Sequence, residues 1–156
     1  MLLMPYARNY VLAGLDGTPD VLEALVSALP ESKWDNRPDP ERFTLREMVA
    51  HLADWEPIWL ERARRIVEEN HPTLPSYDEG QLAIDHDYAH QSLPANLVRF
   101  REGRAANIAF LSSVVEEVWE RTAIREGLGE LTLAGQTAMI LGHDGYHTHQ
   151  AVLWSR

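Results

Sequence analysis

The sequence predicts an all-α protein that folds as a four-helix bundle, and three observations support this. Apolar residues recur mostly at every third or fourth position, helix-capping residues precede the apolar runs, and the connections are rich in proline, glycine and charge. The 156 residues, 45% of them hydrophobic, suffice for one core. We therefore expect a single domain over residues 1–156.

The first helix is expected to begin at Thr18. Thr18 is placed as the N-cap and Pro19 at the first helical position, while Pro30 stands where the apolar pattern stops. The apolar residues expected on its inner face are Val21, Leu22, Leu25 and Leu29.

The second helix has the clearest start signal. Thr44 and Glu47 have the spacing of a capping box, and Phe43 and Met48 that of a hydrophobic staple. Pro57 removes one backbone donor and is expected to kink the helix. The residues expected on its inner stripe are Met48, His51, Leu52, Trp55, Ile58, Trp59, Arg62 and Ile66.

A connection of about twenty residues follows this helix, over 71–92. Such a length is unusual in a compact domain unless the chain crosses the bundle or forms a short helix. The second and third helices can therefore run parallel.

The third helix is expected to begin after Ser92, placed as its cap. Its expected buried face comprises Leu97, Ile108, Leu111, Val115 and Val118. Arg101 and Arg104 lie near the same stripe. They could bind an anionic substrate, but long cationic side chains more often bury their stems and carry the charge out to water, which we favour here.

The fourth helix is expected from about Thr132 to Trp154, after a turn marked by Gly127 and Gly129. One stripe of it carries Leu133, Gln136, Met139, Ile140, His143, His147, Gln150 and Trp154. Four helices of these lengths are typical of a bundle.

Charge and composition exclude several classes of function. The chain has 24 acidic and 14 basic residues, a net charge of −10, which opposes binding to nucleic acid or to an anionic membrane. It has no cysteine, so a transition-metal site would use imidazole, carboxylate and water. We find no export signal and no membrane-spanning segment, and expect a cytoplasmic protein.

Three histidines lie close together in "GHDGYHTHQ", residues 142–150. His143 and His147 are four residues apart, so they share one helix face, as two ligands of one ion require. His149 lies roughly 200° around the helix from His147 and should point to solvent or to a neighbouring subunit. The pair could also be hydrogen-bonded core histidines, and the spacing alone favours a metal site only slightly.

His51 strengthens the interpretation as a metal site, because it is a third imidazole on the inner face of another helix. Three protein ligands leave a coordination position open, which is typical of a catalytic ion rather than a structural one. Asp54, one turn after His51, could orient the free ring nitrogen of His51, although an aspartate on a helix is more often solvated.

The sequence offers two other candidate metal sites. His86 and His90 are also four apart, beside Asp85 and Asp87, but they lie outside any strong apolar stripe, which favours a solvated short helix. A di-iron centre needs two Glu-x-x-His motifs, and the chain has one, ending at His71. The di-iron alternative is therefore rejected.

The segments "MVAHLADWE" and "GHDGYHTHQ" resemble the DinB/YfiT superfamily of metal-binding four-helix bundles. The resemblance covers nearly the whole chain and includes the proline-rich stretch after Trp34. It places the family's three metal-binding histidines on His51, His143 and His147. Gln150 matches a glutamine that usually follows them, and His149 stands where the family commonly has glycine.

The resemblance implies an up-down-down-up bundle, often a homodimer, that holds a divalent ion such as nickel or zinc. It implies a small-molecule substrate and, as the leading hypothesis, transfer of a low-molecular-weight thiol to an electrophile. The metal would lower the pKa of that thiol, which suits a chain without cysteine. The alternatives are a metal-dependent hydrolase and a non-catalytic dimeric module that binds metal or serves in stress responses.

Overall fold

The computed structural model describes residues 5–155, and four long helices form its bundle. The helices are α1 (Pro5–Ser27), α2 (Leu45–Glu68), α3 (Glu79–Asp85), α4 (Leu93–Ser112) and α5 (Leu133–Trp154). The strands are β1 (Thr73–Leu74), β2 (Thr122–Arg125) and β3 (Gly129–Thr132). The short helix α3 lies in the long connection, and α1, α2, α4 and α5 make up the predicted four-helix bundle, which is confirmed.

The order of the helices is up-down-down-up. α2 and α4 are parallel, because the guanidinium of Arg46, near the start of α2, donates to the carbonyl of Gln91, just before α4. Towards the other end of both helices, Ala63 and Leu111 belong to one buried cluster. The long connection therefore crosses the bundle, as its length predicted.

α2 begins as the sequence predicted. The Thr44 hydroxyl accepts a hydrogen bond from the backbone N–H of Glu47 at 3.2 Å, and the Glu47 carboxylate accepts one from the N–H of Thr44 at 2.8 Å. The helix then continues through Pro57 to Glu68. This reciprocal cap fixes the rotational phase of α2 and thereby the direction of its inner stripe.

The expected start of the first helix was wrong. α1 begins nearly four turns earlier, at Pro5, so Thr18 is an interior residue whose hydroxyl donates back to the Gly14 carbonyl at 3.0 Å. Pro19 has no N–H for the Leu15 carbonyl, but Nη1 of Arg104 donates to that oxygen at 3.0 Å. A long-range hydrogen bond thus replaces the missing helical one, and α1 passes through the proline.

Two predicted inner faces also need correction. Val21 is exposed, whereas Leu22 is buried as predicted and Val26, which was not predicted, is buried as well. Val115 is exposed as well, since α4 ends at Ser112 and the chain has already turned away from the bundle.

A small three-stranded sheet, which the sequence analysis did not predict, closes one end of the bundle. Its order is β1-β2-β3, with β1 parallel to β2 and β2 antiparallel to β3. Gly127 and Gly129, at φ 78° and 92°, form the turn between β2 and β3, where left-handed backbone favours glycine. The two glycines do mark a turn, but it belongs to a β-hairpin.

None of the helices in residues 5–155 has a stretch both long and apolar enough to cross a lipid bilayer.

Candidate metal centre

Three histidines from two helices meet inside the bundle. His51 lies one and a half turns into α2, and His143 and His147 lie on successive turns of α5. Nε2 of His51 is 2.9 Å from Nε2 of His143, and one ring nitrogen from each of the three residues lies within 4.8 Å of the others. The structure therefore brings together the three residues that the sequence singled out as metal ligands.

All three imidazoles are uncharged at neutral pH because they are buried. Burial, with a smaller contribution from the neighbouring His147 and His143, lowers the pKa of His51 to about 2. Burial likewise lowers the pKa of His143 to about 4, helped by Arg104, and that of His147 to about 3, helped by His143. Each ring thus keeps a nitrogen lone pair free to bind a metal ion.

Aromatic side chains surround the cluster. The ring centre of His51 lies 5.1 Å from that of Phe43 and 5.6 Å from that of Trp55. Trp59 approaches His143 at 5.7 Å. These rings exclude water from the inner side of the cluster and lower the local dielectric constant.

Gln150 fixes the orientation of His147. The amide nitrogen of Gln150 donates to the Phe43 carbonyl at 2.7 Å, so its Oε1 faces Nδ1 of His147 at 3.1 Å. An amide oxygen can only accept, and Nδ1 of His147 must therefore carry the proton. This leaves Nε2 of His147 unprotonated and available as a ligand.

Asp54 does not have the role suggested for it. Its carboxylate accepts from Arg99 at 2.6 Å and pairs with Nδ1 of His86 at 2.5 Å, and it makes no contact with His51. The cationic and polar partners on α4 and at the end of α3 draw the side chain away from the histidine cluster. Nδ1 of His51 is buried without a hydrogen-bond partner among the described residues.

The remaining candidate histidines lie elsewhere. His86 ends α3 and binds Asp54, and Nδ1 of His90 pairs with Asp87 at 2.7 Å on the surface. His149 is exposed, as predicted. Within residues 5–155, the one group of three or more side chains placed to hold a metal ion is His51, His143 and His147.

The sequence analysis did not predict a buried charged network that lies beside the histidine cluster. Arg104 is only 2% exposed, so the expectation that it carries its charge out to water was wrong. It donates to Glu56 at 2.7 Å and to Asp144, and Asn107 donates to Glu56 at 2.9 Å. Arg101, in contrast, is exposed and pairs with acidic residues of α1.

A sequence signal for this network existed. Glu56 directly follows Trp55 and Asp144 directly follows His143, so both carboxylates adjoin residues of a predicted inner face. Two acidic groups that are buried together require a cation between them, and Arg101 and Arg104 were the arginines available near the facing stripe.

The histidine cluster fits a divalent transition-metal ion. Zinc binds imidazole nitrogen at about 2.0–2.1 Å, so two such ligands of one ion lie roughly 3 Å apart. The 2.9 Å between His51 and His143 agrees with that spacing. Three neutral nitrogen ligands also leave the full charge of the ion in place, and no carboxylate of the described residues joins them.

Comparison with known proteins identifies a family. The DinB superfamily model matches residues 15–151 of the chain. A Geobacillus kaustophilus protein is 29% identical over 140 residues, which are 89% of this chain and 79% of that protein. An Oceanobacillus iheyensis protein is 25% identical over 127 residues, 80% of this chain and 66% of that protein. Both carry the name "Putative metal-dependent hydrolase".

The fold also matches a solved structure. YfiT from Bacillus subtilis, described as "a probable metal-dependent hydrolase with an unusual four-helix bundle topology", superposes with a TM-score of 0.93. The match covers 99% of this chain and 89% of YfiT at 20% sequence identity. At that identity the likeness shows a shared fold.

Proposed function

The chain belongs to the DinB superfamily, and from that premise we propose that His51, His143 and His147 bind a divalent metal ion at the centre of a hydrolytic active site. The observation that carries the proposal is the convergence of three uncharged imidazoles on one point, two of them buried and that of His143 half-buried. Nickel and zinc are the proposed ions, since imidazole binds both.

In such a site the metal ligands, Gln150 and the surrounding aromatic rings would have separate roles. A divalent ion with three protein ligands supplies Lewis acidity, which activates a nucleophile and polarises a substrate carbonyl. His51, His143 and His147 hold the position, and Gln150 keeps Nδ1 of His147 protonated. The surrounding aromatic rings exclude bulk water, which strengthens electrostatic interactions within the site.

Metal analysis tests the premise. Protein purified without a metal-affinity tag should contain about one divalent ion per chain, and changing any of His51, His143 and His147 to alanine should abolish it. His86→Ala and His90→Ala are matched controls that should retain the metal, because neither histidine reaches the cluster. Stoichiometric metal in the His143→Ala variant would overturn the assignment.

Thiol transfer is the second candidate reaction. It is favoured by the lack of cysteine in the chain and by the lack of a carboxylate among the three grouped ligands, because a metal-activated thiol could come from a cosubstrate without a protein nucleophile. Metal-loaded protein should then conjugate electrophiles with low-molecular-weight thiols. Ester or amide hydrolysis in the absence of any thiol would instead support the hydrolase.

A metal-loaded protein that catalyses neither reaction across broad substrate panels would favour the third alternative, a non-catalytic metal-binding module. The homodimer implied by the family resemblance also stays a prediction. Sedimentation velocity checks it directly, since a dimer has twice the 17.8 kDa mass of the chain.

A further inference from the structure

A pocket of about 230 Å³ adjoins the histidine cluster at His147. Phe43, Tyr146 and Gln150 form part of its wall, and α3 supplies Glu79 and Gly80. Because His147 belongs both to the cluster and to this wall, a molecule in the pocket lies directly beside the proposed metal ion.

Arg42 places a fixed positive charge in this pocket. Its guanidinium lies over the rings of Tyr146 and Trp154, at 4.8 and 4.9 Å from their centres. It forms no ion pair within residues 5–155, and its Nε and Nη2 are buried there without a hydrogen-bond partner. Arg42 is also close enough to His147 to lower the pKa of that imidazole. The rings of Tyr146 and Trp154 thus position the positive charge of Arg42, which no acidic side chain in the described part of the chain neutralises.

Negative charge faces the same pocket from another element. Glu79 comes from α3 and Glu41 directly precedes Arg42, and both residues are exposed. Desolvation and the neighbouring Asp78 raise the pKa of Glu79, and the more distant Arg125 opposes them without forming an ion pair with it. In the described structure neither glutamate pairs with Arg42, although all three residues line one small pocket. Opposite charges that share a pocket without meeting leave room for a ligand between them.

We infer that this pocket binds a small zwitterion, with a carboxylate against Arg42 and an ammonium group against Glu79. A simple anion would gain the contact with Arg42 but would face the two glutamates. A simple amine would face the uncompensated guanidinium. A molecule that carries both charges satisfies each side, and each charged contact adds to affinity. That the zwitterion is the substrate, or part of it, rests on the proposed function.

NMR titration of metal-free protein tests the inference independently of the metal. The probes are the ω-amino acids from glycine to 5-aminopentanoate, each compared with the carboxylate and the amine of the same chain length. The best zwitterion should bind at least ~10-fold more tightly than either of its singly charged analogues. Shifts should centre on the Gln150 side-chain amide and the Trp154 indole N–H, which adjoin the pocket and Arg42 respectively.

Variants identify the contacts. Arg42→Gln and Glu79→Gln should each lower the affinity for the zwitterion by ~10-fold or more. Arg64→Gln and Glu68→Gln are the matched controls, because both residues are exposed near the far end of α2 and should have no effect. Circular dichroism and thermal melting establish that each variant is folded before its affinity is interpreted.

The outcomes separate this inference from the proposed function. Zwitterion binding to a protein that proves unable to bind metal would support the pocket and overturn the metal site. Binding of metal without binding of any ω-amino acid would do the opposite. Equal affinity for a zwitterion and its carboxylate analogue, or an equal loss in the Arg42→Gln and Arg64→Gln variants, would also overturn the inference.

Discussion

At the scale of single residues, the hydrogen bond from Nδ1 of His147 to Gln150 predicts a measurable effect on metal affinity. In Gln150→Leu, the ring loses the acceptor that fixes its protonation and its rotation. The loss of a group that orients a metal-binding histidine typically weakens metal binding by about 10- to 100-fold. We expect a decrease of that size, measured by competition against a chromophoric zinc chelator.

The control for this variant is His149→Gln. It alters the residue next to Gln150 on α5, but the exposed His149 makes no contact with the cluster and its loss should leave zinc affinity unchanged. If Gln150→Leu binds zinc as tightly as this control does, Gln150 is not a positioning residue.

Single residues also show how far the sequence could predict the candidate site. The grouping of His51, His143 and His147 was predictable, because two of them share a helix face by spacing and the third has a phase fixed by the Thr44 cap. The role suggested for Asp54 depended on which of several neighbours its carboxylate would bind. That choice is made by Arg99 and His86, which come from other elements and are placed by the tertiary fold.

At the scale of elements, Arg104 joins α4 to the three other long helices, and its loss should lower the stability of the fold. It connects Glu56 of α2 and Asp144 of α5 to α4, and it donates to the Leu15 carbonyl of α1. Arg104→Met would leave two carboxylates buried without a cation, and such losses typically cost about 3–5 kcal/mol of unfolding free energy. Urea denaturation at neutral pH measures the change.

Two further variants check the reason for this cost. Arg101→Met removes an exposed arginine three residues earlier on α4 and should change stability far less. Adding Glu56→Gln and Asp144→Asn to Arg104→Met should recover part of the loss, because the uncompensated buried charges are then gone. A triple variant less stable than Arg104→Met alone would show that the charges are not the cause.

The elements that the sequence analysis did not predict were missed for a shared physical reason. The extension of α1 before Thr18 depends on a hydrogen bond from Arg104, far away in sequence, without which Pro19 would be expected near a helix start. β1 has only two residues, within the long connection, and forms because it pairs with β2, which follows α4 in the chain. Local patterns predicted the elements stabilised by their own caps and apolar faces. They missed those that depend on distant partners.

At the scale of the whole molecule, the histidine cluster lies inside the bundle between two separate hydrophobic clusters. One cluster includes Met48, Leu52 and Trp154, and another includes Trp55, Trp59 and Ile140. The same burial that prepares the imidazoles for metal therefore places three titratable groups in the core. The stability of the metal-free protein must consequently depend on pH.

The direction of that dependence follows from the lowered pKa values. An unfolded chain binds protons on these histidines below about pH 6.5, whereas the folded pKa values are about 4 for His143, 3 for His147 and 2 for His51. Between those limits the unfolded state holds more protons, so the unfolding free energy falls as the pH falls. Each fully linked histidine contributes a slope of about 1.4 kcal/mol per pH unit.

Urea denaturation of metal-free protein at a series of pH values between 7 and 4 measures this slope. Wild type should lose stability more steeply than His51→Gln, which has one fewer buried imidazole to protonate on unfolding. His149→Gln removes an exposed histidine instead and should retain the wild-type slope. Saturating zinc should raise the unfolding free energy at pH 7, because the ion binds the folded state, and the gain should persist until the pH approaches 4, where His143 begins to bind a proton in the folded state. Equal slopes for wild type and His51→Gln would show that the fold does not lower the pKa of His51. Burial would then not be what keeps this imidazole uncharged and able to bind a metal ion.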